Sequence, residues 1–141
     1  MIRFFGGRVM TLANGIETQD IEVWTEGSKI VFVGKPKAEE LDGKVFEREY
    51  DLKGNLLMPS FKNAHTHSAM TFLRSYADDM PLQDWLFKQI FPMEAKLDGE
   101  KVYWLTKLAI LEYLTTGCTA AFDMYFELDD YVKACIESGF R

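Results

Sequence analysis

Pro59-Ser60-Phe61-Lys62-Asn63-Ala64-His65-Thr66-His67 holds the only two histidines of a 141-residue chain, and they stand two apart. The segment before it, Asn55-Leu56-Leu57-Met58, is short and apolar and ends at a proline. Proline has no amide hydrogen to give a sheet. The pattern therefore predicts a brief strand, a break at Pro59, and a second strand carrying Phe61 to His67. Side chains two apart in a strand project from the same face. His65 and His67 then point together, and their imidazoles can converge on one cation; zinc is held by histidine nitrogen at about 2.0–2.1 Å. A His-x-His pair also arises by chance at a surface, so the spacing alone is a weak signal. Its setting adds to it. An apolar strand, candidate ligands at its C-terminal end and then the mixed segment Ser68 to Ser75 follow the order in which a (β/α)8 barrel builds a site.

Working outward toward the C-terminus, Asp78-Asp79-Met80-Pro81 reads as a loop opening a helix, with Pro81 in its first turn. Leu82, Trp85, Leu86 and Ile90 give a helical stripe, which Pro92 is expected to interrupt. Asp98 is a good N-cap for a helix from Gly99 to Thr116. Val102, Leu105, Leu108, Ala109, Leu111 and Leu114 supply its apolar face, and Gly117 ends it. Cys118 to Met124 reads as a buried parallel strand. Leu128, Tyr131, Val132, Cys135 and Ile136 form a last helical stripe, closed by Gly139. Strand, helix, strand, helix is the signature of βαβ units.

Toward the N-terminus, residues 1 to 57 read as β-rich. Ile2 to Phe5 and Arg8 to Leu12 are short strands around Gly6-Gly7, and Ala13-Asn14-Gly15 is a turn signal. Asp20 to Thr25 alternates polar and apolar, as a half-exposed strand does. Lys29 to Gly34 returns as its hairpin partner after Glu26-Gly27-Ser28. Pro36 to Gly43 reads as a polar connection, and Phe46 to Leu52 as another strand.

The composition, 48% hydrophobic with 14% aromatic, is that of a globular protein. A net charge of −6 with no basic cluster argues against a nucleic-acid partner. Cys118 and Cys135 look like small buried residues and form no disulfide framework. No apolar run reaches the roughly 20 residues of a membrane span, and no signal peptide is visible, so a reducing cytoplasm is expected.

Four segments together resemble the amidohydrolase superfamily: Met58 to Asp79, Pro81-Leu-Gln-Asp-Trp-Leu86, Phe91-Pro-Met-Glu94 and Gly117-Cys-Thr-Ala-Ala-Phe-Asp-Met-Tyr125. Within it, the match is to the branch of 5-methylthioadenosine/S-adenosylhomocysteine deaminases and related chlorohydrolases. The resemblance implies an α/β fold in which residues 1–57 are the β-rich half of a composite β-sandwich. Residues 58–141 are then the first two βα units of a (β/α)8 barrel. Such a barrel takes about 250 residues, so the chain looks like the N-terminal third of a longer enzyme, incomplete and inactive by itself.

The resemblance also implies site residues. His65 and His67 match the first two ligands of one divalent metal, zinc or alternatively iron, bound weakly or not at all by the 141 residues alone. The implied chemistry is hydrolysis, with a water made nucleophilic by the ion attacking a ring carbon that bears an amino or chloro group. Glu94 falls where such deaminases hold ribose hydroxyls, and a carboxylate can accept from two neighbouring hydroxyls. Trp85 matches a position near the purine, though a core tryptophan on a helix is equally plausible there. Asp123 reads as a structural acceptor at a strand end, and Arg74 as the partner of Asp78 or Asp79. Ser60, where the family usually has glycine, and Lys62, where an apolar residue is common, depart from the pattern. The expected partner is a purine nucleoside-type small molecule. Uncovered strand and helix faces would make the chain a homo-oligomer. The rivals are a guanine or cytosine deaminase, an s-triazine-type chlorohydrolase, a non-enzymatic remnant, and one half of a split enzyme.

Overall fold

Gly6 and Gly7 turn the chain from its first sheet into its second. Gly6 takes φ 69°, a left-handed conformation that favours glycine. A Cβ on Gly7 would strike the Asn55 carbonyl oxygen and lie 2.6 Å from Leu52 Cβ, so this backbone approach needs a residue without a side chain. The computed structural model describes residues 1–13 and 15–141. They divide into two units, Met1–Pro59 and Ser60–Arg141.

The first unit contains β1 (Ile2–Phe5), β2 (Arg8–Thr11), β3 (Glu17–Gln19), β4 (Glu22–Glu26), β5 (Lys29–Gly34), α1 (Ala38–Leu41), β6 (Arg48–Asp51) and β7 (Leu56–Leu57). One sheet runs β5-β4-β1-β6 and the other β3-β2-β7. The predicted hairpin is β4 and β5, antiparallel, with an irregularity between Trp24 and Thr25. Both Val23 and Trp24 are buried, so successive residues of β4 are covered on opposite faces. Trp24 stacks on Phe32 with ring centroids 4.1 Å apart and meets Phe46 edge-on.

Two elements differ from the sequence reading. The Pro36–Gly43 connection contains the single turn α1, whose start is closed by the Glu40 carboxylate accepting the Lys37 N–H at 2.8 Å. Strand β3 is wholly exposed, and Glu17-Thr18-Gln19 offers no apolar alternation by which to find it. Asn14 of the expected Ala13-Asn14-Gly15 turn lies outside the described residues.

Arg3 ties three strands of the first sheet together. Its guanidinium donates to both oxygens of Glu22 at 2.6 and 2.7 Å and to Glu49 at 2.8 Å, and it lies over the Phe5 ring. The Trp24 indole also donates to Glu22, at 2.9 Å. The hydrogen bond from Arg3 is the main reason that the Glu22 carboxyl sits below its ordinary pKa of 4.5. A depressed folded-state pKa stabilises the native state fully above the unfolded value and is lost as pH falls through the folded one. Arg3→Met is therefore expected to cost roughly 2 kcal/mol near neutral pH, between the values for exposed and buried pairs. Urea melts at about pH 7 and about pH 3 check this, because the gap between wild type and variant should shrink at the acid end. A gap independent of pH would assign the loss to packing.

The second unit begins with β8 (Phe61–Thr66) and a 3-10 helix, Ser68–Leu73. It continues with α2 (Leu82–Asp84), a π-helical turn Trp85–Ile90, α3 (Phe91–Glu94), α4 (Gly99–Thr115), β9 (Cys118–Asp123) and α5 (Leu128–Ser138). β8 and β9 pair in parallel, joined by the α4 crossover. The Asp98 carboxylate caps α4 by accepting the Lys101 N–H at 3.0 Å. Gly139 ends α5 in the left-handed region with φ 64°. Past that cap Phe140 is buried and stacks on Tyr113, with centroids 5.3 Å apart. No closed barrel is formed among the described residues, and none of their helices is long and apolar enough to cross a membrane.

Pro92 does not interrupt its helix. It sits in the first turn of α3, where a missing N–H is harmless. The turn before it is wound in π register, with the Phe91 N–H reaching the Leu86 carbonyl. The helical path so continues from Leu82 to Glu94 through the wider turn.

The helix faces also differ from the expected stripes. Val102, Thr106, Ala109 and Ile110 are the buried side of α4, whereas Leu108, Leu111 and Leu114 are exposed. On α5, Ala134 is buried while Leu128, Val132 and Ile136 are exposed. α4 and α5 pack on each other and α4 also on the 3-10 helix, and the buried residues lie on those contacting sides. Phe122 on β9 is 80% exposed, so that strand's outward face is uncovered. Cys118 is buried, Cys135 only half-buried, and both are free thiols.

Candidate functional site

β8 ends at Thr66, so His65 is the last residue but one of the strand and His67 caps the start of the 3-10 helix. The two rings meet edge to face, with centroids 5.0 Å apart and planes at 84°. His65 is exposed and His67 half-buried.

The end of β9 holds His67 in place. His67 Nδ1 lies 2.8 Å from the Met124 carbonyl oxygen. A carbonyl only accepts, so Nδ1 is the donor, and Nε2 is the ring nitrogen left for a metal to bind. One residue earlier, the Asp123 carboxylate accepts the Ser68 N–H at 3.2 and 3.3 Å. Ser68 Oγ meets the Tyr113 hydroxyl at 3.0 Å, and that hydroxyl also bonds Thr66 Oγ1. The backbone on both sides of His67 is thus anchored to β9 and α4. Asp123 has the structural role expected of it.

These residues fit a divalent cation in their chemistry. A histidine that gives one ring N–H to a backbone carbonyl and keeps the other nitrogen free is the usual arrangement of a metal ligand. The donor set within the described residues is partial, since no group of three or more His, Cys, Asp or Glu side chains there is placed to hold an ion.

His67, Trp85 and Glu94 line one cleft of about 320 Å³, together with Met70, Leu86 and Tyr125. The π turn and α3 present Trp85 and Glu94 on a continuous wall, so the unbroken helix is what brings them to the same cavity as His67. His65 lies outside this lining, as do Asp78 and Asp79. Arg74 pairs with neither aspartate. Its guanidinium forms a two-pronged, exposed ion pair with Glu112 on α4, at 2.6 Å through one nitrogen. That partner is far in sequence and near only because α4 packs against the 3-10 helix. Lys62 reaches Ser60 Oγ at 2.7 Å and Thr119 Oγ1 at 3.2 Å, at the opposite end of β8 from the histidines.

Tyr125 is the cleft residue that sequence reasoning passed over. Its hydroxyl is buried and makes no hydrogen bond. Burial first, and then the neighbouring Glu94 carboxylate, push its pKa well above the ordinary phenol value of 10.0. The available signal was its place just beyond β9, at the same end of the sheet as the histidines.

Comparison with known proteins gives the family. The chain belongs to the Amidohydrolase family, which residues 56–141 match. It is 43% identical over 120 residues to a 5-methylthioadenosine/S-adenosylhomocysteine deaminase of Desulfitobacterium hafniense, covering 85% of this chain and 28% of that one. It is 56% identical over 91 residues to a 5'-deoxyadenosine deaminase of Methanospirillum hungatei, covering 64% of this chain and 20% of the relative. Among solved structures, an adenosine deaminase from Xanthomonas campestris with bound zinc superposes with a TM-score of 0.90 at 34% identity. That superposition covers 99% of this chain and 32% of the other. The chain therefore spans between a fifth and a third of the length of these relatives.

Proposed function

We propose that this chain supplies two metal ligands and part of the substrate cleft of a hydrolytic deaminase acting on adenosine-type nucleosides. The observation that carries the reading is the shared cleft of His67, Trp85 and Glu94. In it, an imidazole with a free Nε2, a flat ring and a carboxylate line one largely apolar cavity. The resident ion would be a divalent metal, with zinc favoured by the zinc-bound Xanthomonas campestris deaminase. When bound, such an ion lowers the pKa of a water and makes it a nucleophile near neutral pH. His65 and His67 would hold it through ring nitrogen. Trp85 would pack its ring face against the purine. Glu94 would accept hydrogen bonds from the two ribose hydroxyls, and so fix the sugar while the 6-amino group faces the histidine end of the cleft.

The finer architecture belongs to the same proposal. The parallel β8-α4-β9 unit supports a barrel segment over residues 58–141. Exposed apolar residues on the N-terminal sheets, among them Leu12, Ile30, Val33 and Leu56, support residues 1–57 as one part of a composite sandwich. Uncovered Leu108, Leu111 and Phe122 support homo-oligomerisation.

A substrate panel tests the function. The full-length protein, loaded with zinc, is expected to release ammonia from 5-methylthioadenosine, S-adenosylhomocysteine or 5'-deoxyadenosine. A catalytic zinc needs at least three protein ligands, so the 141 residues alone are expected to release none. Ammonia from guanine or cytosine only, or chloride from a chloro-s-triazine only, would move the assignment to those rivals. Turnover by the purified 141-residue chain would refute the partial-site reading.

A further inference from the structure

The cleft contains one buried side-chain oxygen, the Tyr125 hydroxyl, with no hydrogen-bond partner among the described residues. Tyr125 follows Met124, whose carbonyl holds His67, and lines the same cleft as Glu94. The phenol oxygen has lost its water and gained no partner. An unpaired buried hydroxyl is destabilising, so its presence in a cleft calls for an explanation.

Two uses can be separated by accessibility. A hydroxyl that touches substrate must be open to the cavity, and this one is buried although the ring around it is not. It therefore reaches a ligand only through another side chain. Glu94 is the cleft's acidic residue and is near enough to act on the phenol's ionisation. Ionised carboxylates have about four lone-pair sites, enough to accept from two sugar hydroxyls and still from a phenol.

Resting on the ribose role of Glu94 given above, we infer that Tyr125 is a positioning residue for that carboxylate. Its hydroxyl donates to one Glu94 oxygen in the occupied site and turns the others toward a vicinal diol. The diol already assigned to Glu94 is then the part of the substrate on which the role of Tyr125 is read.

The experiment is Tyr125→Phe in the full-length, zinc-loaded enzyme, alone and with Glu94→Gln, assayed on 5-methylthioadenosine and on its 2',3'-dideoxy analogue. The variant removes an unpaired buried hydroxyl, so its melting temperature should not fall. On the diol substrate, KM should rise about tenfold with kcat little changed, as expected for losing one hydrogen bond to a charged group. On the dideoxy analogue the change should stay within about twofold, and in the Glu94→Gln background Tyr125→Phe should add less than about twofold. Equal losses on both substrates would make the phenol a packing residue and overturn the inference. So would an unchanged KM on the diol substrate. An unsubstituted enzyme that deaminates none of these nucleosides would overturn the function itself, and the inference with it.

Discussion

Replacing His67 with alanine in the full-length enzyme is expected to lower kcat/KM by about a thousandfold or more, with bound metal falling in parallel. The magnitude follows from what the ion contributes. Lewis-acid and nucleophile activation supply several kcal/mol, and each 1.36 kcal/mol is about a factor of ten in rate. His65→Ala should act alike, because the two rings are neighbours with centroids 5.0 Å apart and are proposed to hold the same ion. The two substitutions separate on stability. His67 is half-buried and bonded to the Met124 carbonyl, so its loss also loosens the junction of β8 and β9. His65 is exposed and its ring has no such tie, so its variant should melt near the parent temperature. Metal content by mass spectrometry beside kcat/KM checks both. A variant that loses activity yet keeps its metal would give the histidine another role.

Glu94→Gln is expected to lower kcat/KM on 5-methylthioadenosine by about a hundredfold, mainly through KM. Hydrogen bonds to a charged acceptor contribute about 1.5–3 kcal/mol each, and two hydroxyls would lose that charge. The amide keeps the shape but presents one acceptor and an NH2 donor, which opposes a second hydroxyl donor. Metal content should be unchanged, which distinguishes this variant from the histidine ones. The dideoxy analogue should be nearly indifferent to the substitution. Comparable losses on both substrates would place Glu94 in the fold of the cleft wall instead of on the sugar.

Much of this site was legible because it rests on local rules. The expected strand ran on to His67, and although β8 stops at Thr66 the two rings still come together with centroids 5.0 Å apart; Pro59 separates β7 from β8 without any tertiary knowledge. Asp98, Gly117 and Gly139 fixed the bounds of α4 and α5 through capping, a local effect. Legibility failed where packing decided. Leucine content pointed to Leu108, Leu111 and Leu114 as part of the inner face of α4, yet they are exposed and Thr106 and Ile110 are buried beside the expected Val102 and Ala109, where α5 and the 3-10 helix pack on α4. Arg74 found Glu112, 38 positions away, instead of the adjacent aspartates. Pro92 was read as a break, whereas the π turn before it keeps Trp85 and Glu94 on one wall. Tyr125 was invisible for a related reason: an unpaired hydroxyl is a property of three-dimensional surroundings, and a Tyr in a motif does not announce it.

The most direct measurement is anomalous diffraction at the zinc edge from crystals of the full-length protein. The expected result is a single strong peak at about 2.0–2.1 Å from one ring nitrogen of His65 and from Nε2 of His67, with Nδ1 of His67 still on the Met124 carbonyl. A peak bound by other residues, or a fully active enzyme with no ion between these two rings, would contradict the assignment.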